Sequence, residues 1–286
     1  MNVTMKNFAA SIHPLRKAAT IGVSAAALLM VATSAHATSL VLNGSFSTNS
    51  GSVSGVGCKV STAGCVADWT SAGYSFLYTS AADAQNPGVS GVEMWGPSSG
   101  KGGSVNGFGA SPDGGAFLAL DGDYQTGSVQ QTITGITAGD TYAVSFYWAA
   151  AQQEGFDGAT IQAMNVCLGT AGESYKNTSN QPLSGADNAP SNINCSGSGA
   201  STTLYDLSNH AFSGWESETV YLTATSSSDD VLSFLAYGNV QQPPFALLDG
   251  VSMNQVTPEP STLPLLLTGL MGGLGVLRSK KLLKSR

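Results

Sequence analysis

Thr141-Tyr142-Ala143-Val144-Ser145-Phe146-Tyr147-Trp148-Ala149-Ala150 is the stretch that decides the fold. Val144, Phe146 and Trp148 fall on one face of an extended chain, and Ala143, Ser145 and Tyr147 on the other. A period of two marks a half-buried strand. Upstream, Gly135–Asp140 (GITAGD) reads as a turn. Ser128–Ile133 sets Val129, Gln131 and Ile133 against Gln130 and Thr132, and Ala116–Asp121 (AFLALD) is a short apolar run broken by Gly122. Downstream come Ala159–Leu168, Trp215–Thr225 with Val220 and Leu222 inward, Val231–Tyr237 and Phe245–Met253. Further upstream, Tyr74–Thr79 alternates and Thr38–Phe46 (TSLVLNGSF) reads as a strand entering a turn at Asn43-Gly44. That makes about eight to ten strands with no amphipathic helix between them, and predicts an all-β, antiparallel β-sandwich.

The connections are unequal. Thr48–Ala67 is rich in Gly and Ser, and Asp83–Gly115 is a long Gly/Pro/Ser-rich loop carrying Trp95 and Phe108. Loops of that length in a compact domain are often functional. Residues 169–201 are polar and read as an insertion. The four cysteines are Cys58, Cys65, Cys167 and Cys195. An even count in an exported chain implies disulfides, with three connectivities open; locality favours Cys58–Cys65 and Cys167–Cys195. Zinc is the rival reading, but C-x6-C is the wrong spacing and His210 is the one histidine between the two ends.

Both ends read as addresses. Lys6, Arg16 and Lys17 precede the apolar Ala18–Val31 and the Ala35-His36-Ala37 site, which predicts a signal peptide over 1–37. At the other end stand Thr257-Pro258-Glu259-Pro260-Ser261, then apolar Leu263–Leu277, then Arg278, Lys280, Lys281, Lys284 and Arg286. The prolines favour an extended spacer. About fifteen helical residues reach roughly 22 Å, short of a ~30 Å hydrocarbon core but within what snorkelling and thinning absorb. The one-sided basic cluster predicts a transmembrane helix over 263–277 with its basic end in the cytoplasm and the body outside. The exported body is then 38–256. Its basic side chains are Lys59, Lys101 and Lys176, without arginine; the chain's 18 acids less Glu259 leave seventeen, so the body stands near −14. Such a surface repels nucleic acid and anionic lipid headgroups, and leaves neutral glycans, cations and basic polymers as partners. The same acidity also serves plain solubility.

Two resemblances follow. Pro258-Glu259-Pro260, the short Gly-rich apolar helix and the basic end resemble the PEP-CTERM sorting signal of bacterial surface proteins, a tail also described as an ice-binding protein C-terminal domain. The resemblance implies that 257–286 is recognised at Pro258–Pro260 by an exosortase-type membrane protease, which removes the helix and leaves the product at the cell surface or released. It does not imply ice binding, and the body lacks a Thr-x-Thr ladder. Leu42-Asn43-Gly44-Ser45-Phe46, Trp69, Gln131-Thr132-Ile133, Ala138-Gly139-Asp140-Thr141-Tyr142, Ser145-Phe146, Trp215 and Leu247-Leu248-Asp249-Gly250-Val251-Ser252 recur in the order seen in galactose-binding-like jelly rolls, which include many carbohydrate-binding modules. That resemblance implies a structural Ca²⁺ at Asp249, with no other cofactor; the family's second acidic position is Ser47, which has no carboxylate.

Motifs for catalysis are present but out of context. Gly96-Pro97-Ser98-Ser99-Gly100 fits G-x-S-x-G, and His210 lies downstream, yet Gly100-Lys101-Gly102-Gly103 cannot start the helix that a nucleophile elbow needs. Asp121-Gly122-Asp123, Glu154-Gly155-Phe156-Asp157 and Glu216-Ser217-Glu218 pair carboxylates, for which surface charge or cation ligation is the ordinary use. The loop aromatics Trp95, Tyr124, Phe156 and Tyr205 are the candidate sugar platforms, although large aromatics also plug the ends of sandwiches. Trp69, Trp148 and Trp215 read as core. The expectation is a non-enzymatic, exported surface or matrix protein that binds an extracellular polysaccharide. A matrix component with no ligand site and a secreted hydrolase are the alternatives.

Overall fold

The computed structural model describes residues 38–48, 55–71, 73–169, 195–227, 229–238 and 242–256. The expected signal peptide (1–37), most of the insertion and the sorting tail (257–286) lie outside them. Among the described residues no helix is long and apolar enough to cross a membrane.

The elements run β1 (Gly57–Lys59), β2 (Thr70–Ser71), β3 (Ser75–Tyr78), α1 (Ala81–Gln85), β4 (Phe117–Asp121), β5 (Val129–Thr134), β6 (Thr141–Gln152), β7 (Thr160–Gly169), β8 (Ser198–Ser201), β9 (Tyr205–Leu207), β10 (Glu216–Thr223), β11 (Asp229–Gly238) and β12 (Pro244–Gln255). They form two antiparallel sheets. The first has the order β1-β3-β4-β12-β6-β10, and the second β2-β5-β11-β7-β8 with β9 also on β7. The architecture is an all-β antiparallel sandwich. Its main core joins Val144, Phe146 and Trp148 of β6 to Phe234 of β11 and Met164, Val166 and Leu168 of β7. Val144, Phe146 and Trp148 are the three residues that the alternation of β6 sets on one face. Trp69 joins the same core and donates from Nε1 to the carbonyls of Leu42 and Asn43, both at 3.2 Å.

Over β3, β4, the end of β6 and the start of β12, the first sheet is buried on both faces. A second apolar cluster, with Phe76, Tyr78, Phe117, Ala149, Ala151, Phe245 and Leu247, is covered by Val89, Val92, Met94 and Phe108 from the long connection between β3 and β4. Two-sided burial explains why β3 (SFLY), β4 (FLALD) and the end of β6 read as continuous apolar runs. Trp215 packs half-buried on this outer layer rather than in the main core.

Three sequence expectations change. Thr38–Phe46 is not a strand: Asn43 and Phe46 have positive φ (47° and 51°), and the segment is pinned to β12 by Leu40 N–H to Met253 O (2.9 Å) and Val251 N–H to Gly44 O (3.0 Å). The chain reaches β12 so closely there that a Cβ on Gly44 would stand 1.9 Å from the Val251 carbonyl oxygen. The stretch expected as insertion re-enters the sheet before its end, since Ser198–Ser201 pairs with β7. A five-residue helix, α1, forms in the long loop, capped by Ser80 accepting from the N–H of Asp83. Cys58 is bonded to Cys65 and Cys167 to Cys195, the pairing that locality favoured. The C-terminal edge of the body closes with Val256 N–H to Thr141 O (2.8 Å), beside the start of β6.

Candidate functional site

Pro244 opposes Gln152, and Phe245 opposes Asp121. The residues that follow β4, those that follow β6 and those that precede β12 therefore share one end of the sandwich. This end carries two exposed aromatics, Tyr124 (65% exposed) and Phe156 (39%). The Asp121 carboxylate shapes the first turn by accepting the N–H groups of Asp123 (2.8 Å), Tyr124 (3.1 Å) and Gln125 (3.2 Å). Burial pushes Asp121 up to about 6; the three N–H donors pull it down and the Asp123 charge raises it slightly. Tyr124 stands edge-on to Tyr74, with ring centres 5.7 Å apart.

Phe156 is held from below. Trp95 is buried (7% exposed) and donates from Nε1 to the Phe156 carbonyl at 3.0 Å. Its ring stacks on His210 at 3.8 Å and 26°. His210 Nε2 meets Asp157 Oδ1 at 2.8 Å, and the His210 N–H donates to Gln152 Oε1 at 2.9 Å. Asn209 Oδ1 accepts the N–H of Gly158 (2.6 Å), and Asn106 Nδ2 donates to the carbonyls of Trp95 (2.8 Å) and His210 (2.9 Å). Trp95 thus acts as a pillar under the β6–β7 loop, not as an open platform. The polar atoms of Asp157, Asn209 and His210 edge the same loop.

Of the four candidate aromatics, the fold brings Trp95 and Phe156 together and sets Tyr124 at the same end. Tyr205 lies apart on β9, half-buried with its ring 5.1 Å from Trp148. Burial first, then the neighbouring Glu216, raise its hydroxyl above the ordinary tyrosine range.

The G-x-S-x-G run forms a tight turn, with Ser99 N–H and Oγ both donating to the Gly96 carbonyl (3.2 and 3.0 Å) and Ser98 N–H donating to Gln85 Oε1 (2.7 Å). Ser104 Oγ, the hydroxyl beside His210, donates to the His210 carbonyl (3.2 Å), not to its ring.

Asp249 is fully buried on the outer face of β12. Its Oδ1 accepts the N–H of Gly250 (2.7 Å) and its Oδ2 has no hydrogen-bond partner. Burial pushes it up to about 7, Ser111 and the Gly250 N–H lower it, and the Asp113 charge raises it. The nearby Asp113 and this oxygen would offer oxygens to a calcium ion, and the Ser111 hydroxyl lies close enough to Asp249 to serve it in the ion's absence. Ser47 does not complete such a site: it is exposed, and its hydroxyl pairs with that of Ser45 at 3.0 Å.

Sequence reasoning missed the outward face of β6 and β10. Tyr221 is 65% exposed there and Tyr147 half-buried; Ser145 and Thr219 pair their hydroxyls at 2.7 Å. Gly250, at φ 60°, leaves room for the Tyr147 ring, which a Cβ would approach to 2.8 Å. The available signal was large aromatics at outward positions of alternating strands. A small cavity of about 200 Å³ lies on the other sheet, lined by Leu42, Asp68, Thr70, Gln130, Gln131, Thr132 and Val231, and it has no aromatic wall.

No family model and no curated protein matches the sequence. Among solved structures, the chain is similar to TmCBM61 in complex with β-1,4-galactotriose, at 10% identity over 77% of this chain and 100% of that one, with a TM-score of 0.36. It is similar also to the enzymatically active domain of tailspike protein 4 of bacteriophage CBA120, at 10% identity over 76% of this chain and 21% of that one (TM-score 0.34). A third is TmCBM27, a carbohydrate-binding module described for specific mannan recognition, at 10% identity over 70% and 95% (TM-score 0.27). Likenesses this remote decide neither ligand nor activity.

Proposed function

We propose that the body is a non-catalytic jelly-roll module that binds a neutral extracellular polysaccharide. The observation that carries this is the placing of Tyr124 and Phe156, both exposed, at one end of the sandwich. A sugar ring lays its C–H face on an aromatic face, while Asp157, Asn209 and His210 are available to its hydroxyls. The near −14 charge and the absence of arginine in the body favour a neutral ligand over an anionic one. A calcium ion at Asp249 belongs to the same reading, supported by the orphaned Oδ2. Export through a signal peptide at 1–37 and a PEP-CTERM tail at 257–286, processed by an exosortase-type protease, is part of it; two disulfides support an oxidising destination.

Affinity electrophoresis in gels cast with neutral polysaccharides tests the binding. Retention by at least one of them, weakened about tenfold or more by Tyr124→Ala or Phe156→Ala, is expected, since one stacked ring contributes on the order of 1–2 kcal/mol. Absence of retention with calcium and with chelator alike sinks the reading in favour of a matrix protein without a ligand site. Intact-mass analysis of the exported product tests the processing, which fails if Leu263–Arg286 is still attached in processing-competent cells.

A further inference from the structure

Two carboxylates at the same end take no part in sugar stacking. Glu93 precedes Trp95 by two residues, and Glu154 follows Gln152 by two. The N–H of Glu154 donates to the Glu93 carbonyl at 2.8 Å, which sets their side chains together. Glu154 is buried, at 3% exposure. Its Oε1 accepts the N–H of Lys101, and its Oε2 has no hydrogen-bond partner. The half-buried Glu93 carboxylate takes the N–H of Gly100 and stands within hydrogen-bond reach of the Glu154 carboxylate. Consecutive N–H groups of one glycine-rich turn therefore hold the two carboxylates side by side.

N–H donation favours the ionised form of each, and two ionised carboxylates in contact repel. The Glu154 carboxyl first, then burial, push Glu93 above the usual carboxylate range, while the Gly100 N–H and the Lys101 charge pull it down. Among the described residues the ion pair within 4 Å is His210 with Asp157; the Lys101 ammonium acts on Glu93 from farther off without closing a salt bridge on it.

We propose that Glu93 and Glu154 hold a hard divalent cation of the calcium type. Two carboxylates supply up to four oxygens; calcium takes about six to eight ligands, so carbonyl and water oxygens complete the shell on the open side of Glu93. Soft metals are not served, because the pair offers carboxylate oxygens and neither thiolate nor imidazole. Glu93 belongs to the segment that covers the first sheet, and Glu154 to the loop that carries Phe156 and Asp157. The ion fastens one to the other.

Terbium luminescence on the purified exported protein tests this, with Trp95 as the sensitising ring. Saturable emission is expected, displaced by calcium in the ~0.1–1 mM range typical of extracellular modules, together with a calcium-dependent rise in Tm. Glu93→Gln and Glu154→Gln each weaken terbium binding at least tenfold, with near-UV circular dichroism reporting that the fold is kept. Trp95→Phe dims the emission but leaves the calcium-dependent rise in Tm. Asp249→Asn leaves the Trp95-sensitised part of the emission in place, because an ion at Asp249 is a separate site. Trp95-sensitised emission that survives Glu93→Gln, or that is lost in Asp249→Asn, overturns the assignment. So does a shared proton in place of the ion, seen as no emission and no calcium effect on Tm. Polysaccharide retention plays no part in these readouts, so either reading can fall without the other.

Discussion

Asp121 sits under the turn that presents Tyr124, with its carboxylate buried and its value raised to about 6. An unfolded aspartate titrates near 3.9. Between these values the folded state holds a proton that the unfolded chain has released. The resulting stability is fully present below about pH 4 and is lost as pH rises through about 6. Two units correspond to roughly 3 kcal/mol at most. Urea midpoints measured on either side of this window should fall toward the higher pH, and Asp121→Asn should reduce the difference, leaving the part that Asp249, raised to about 7, contributes with the same sign. Gly44 makes a steric prediction. A methyl group there meets the Val251 oxygen at 1.9 Å, so Gly44→Ala should cost about 1–3 kcal/mol, read as a drop in Tm. At this scale the sequence was partly legible. Trp69 and Trp148 declared themselves as core, because they sit in or beside alternating strands. Trp95 did not: its burial depends on Phe156 and His210, sixty and more residues away, and no local pattern carries that information.

The outer apolar layer sets the behaviour of the elements. Phe108 packs against Phe117 of β4 and Phe212, and with Val89, Val92 and Met94 it covers the first sheet. Phe108→Ala should cost about 3–5 kcal/mol, measurable by denaturant unfolding, with amide exchange quickening first in the connection rather than in β4. Trp95→Phe keeps an aromatic ring, smaller than the indole, but drops the N–H to the Phe156 carbonyl. Its expected effect is faster amide exchange in the β6–β7 loop and little change in β6. The long strands were readable from their period. What covers β3 and β4 was not, because the apolar residues of the connection are irregularly spaced and fit neither a helical nor a strand period. Thr38–Phe46 misled for the opposite reason: Leu40, Val41 and Leu42 have high strand propensity, but Asn43 and Phe46 turn left-handed and end any ladder.

For the molecule as a whole, the bond between Cys167 and Cys195 ties the edge of the second sheet across a span of 28 residues. Replacing both by serine should lower stability by roughly 3–4 kcal/mol if the chain-entropy account holds, checked by urea midpoints. The body's direction is also fixed. β6 starts at Thr141, beside Val256 where the body closes, and finishes at Gln152, beside Trp95 and Phe156. Twelve extended residues cover roughly 36–40 Å. A tether that continues from Val256 therefore departs from one pole while Tyr124 and Phe156 crown the other, so a molecule held at a membrane or wall would point its aromatics outward, toward whatever lies beyond the cell.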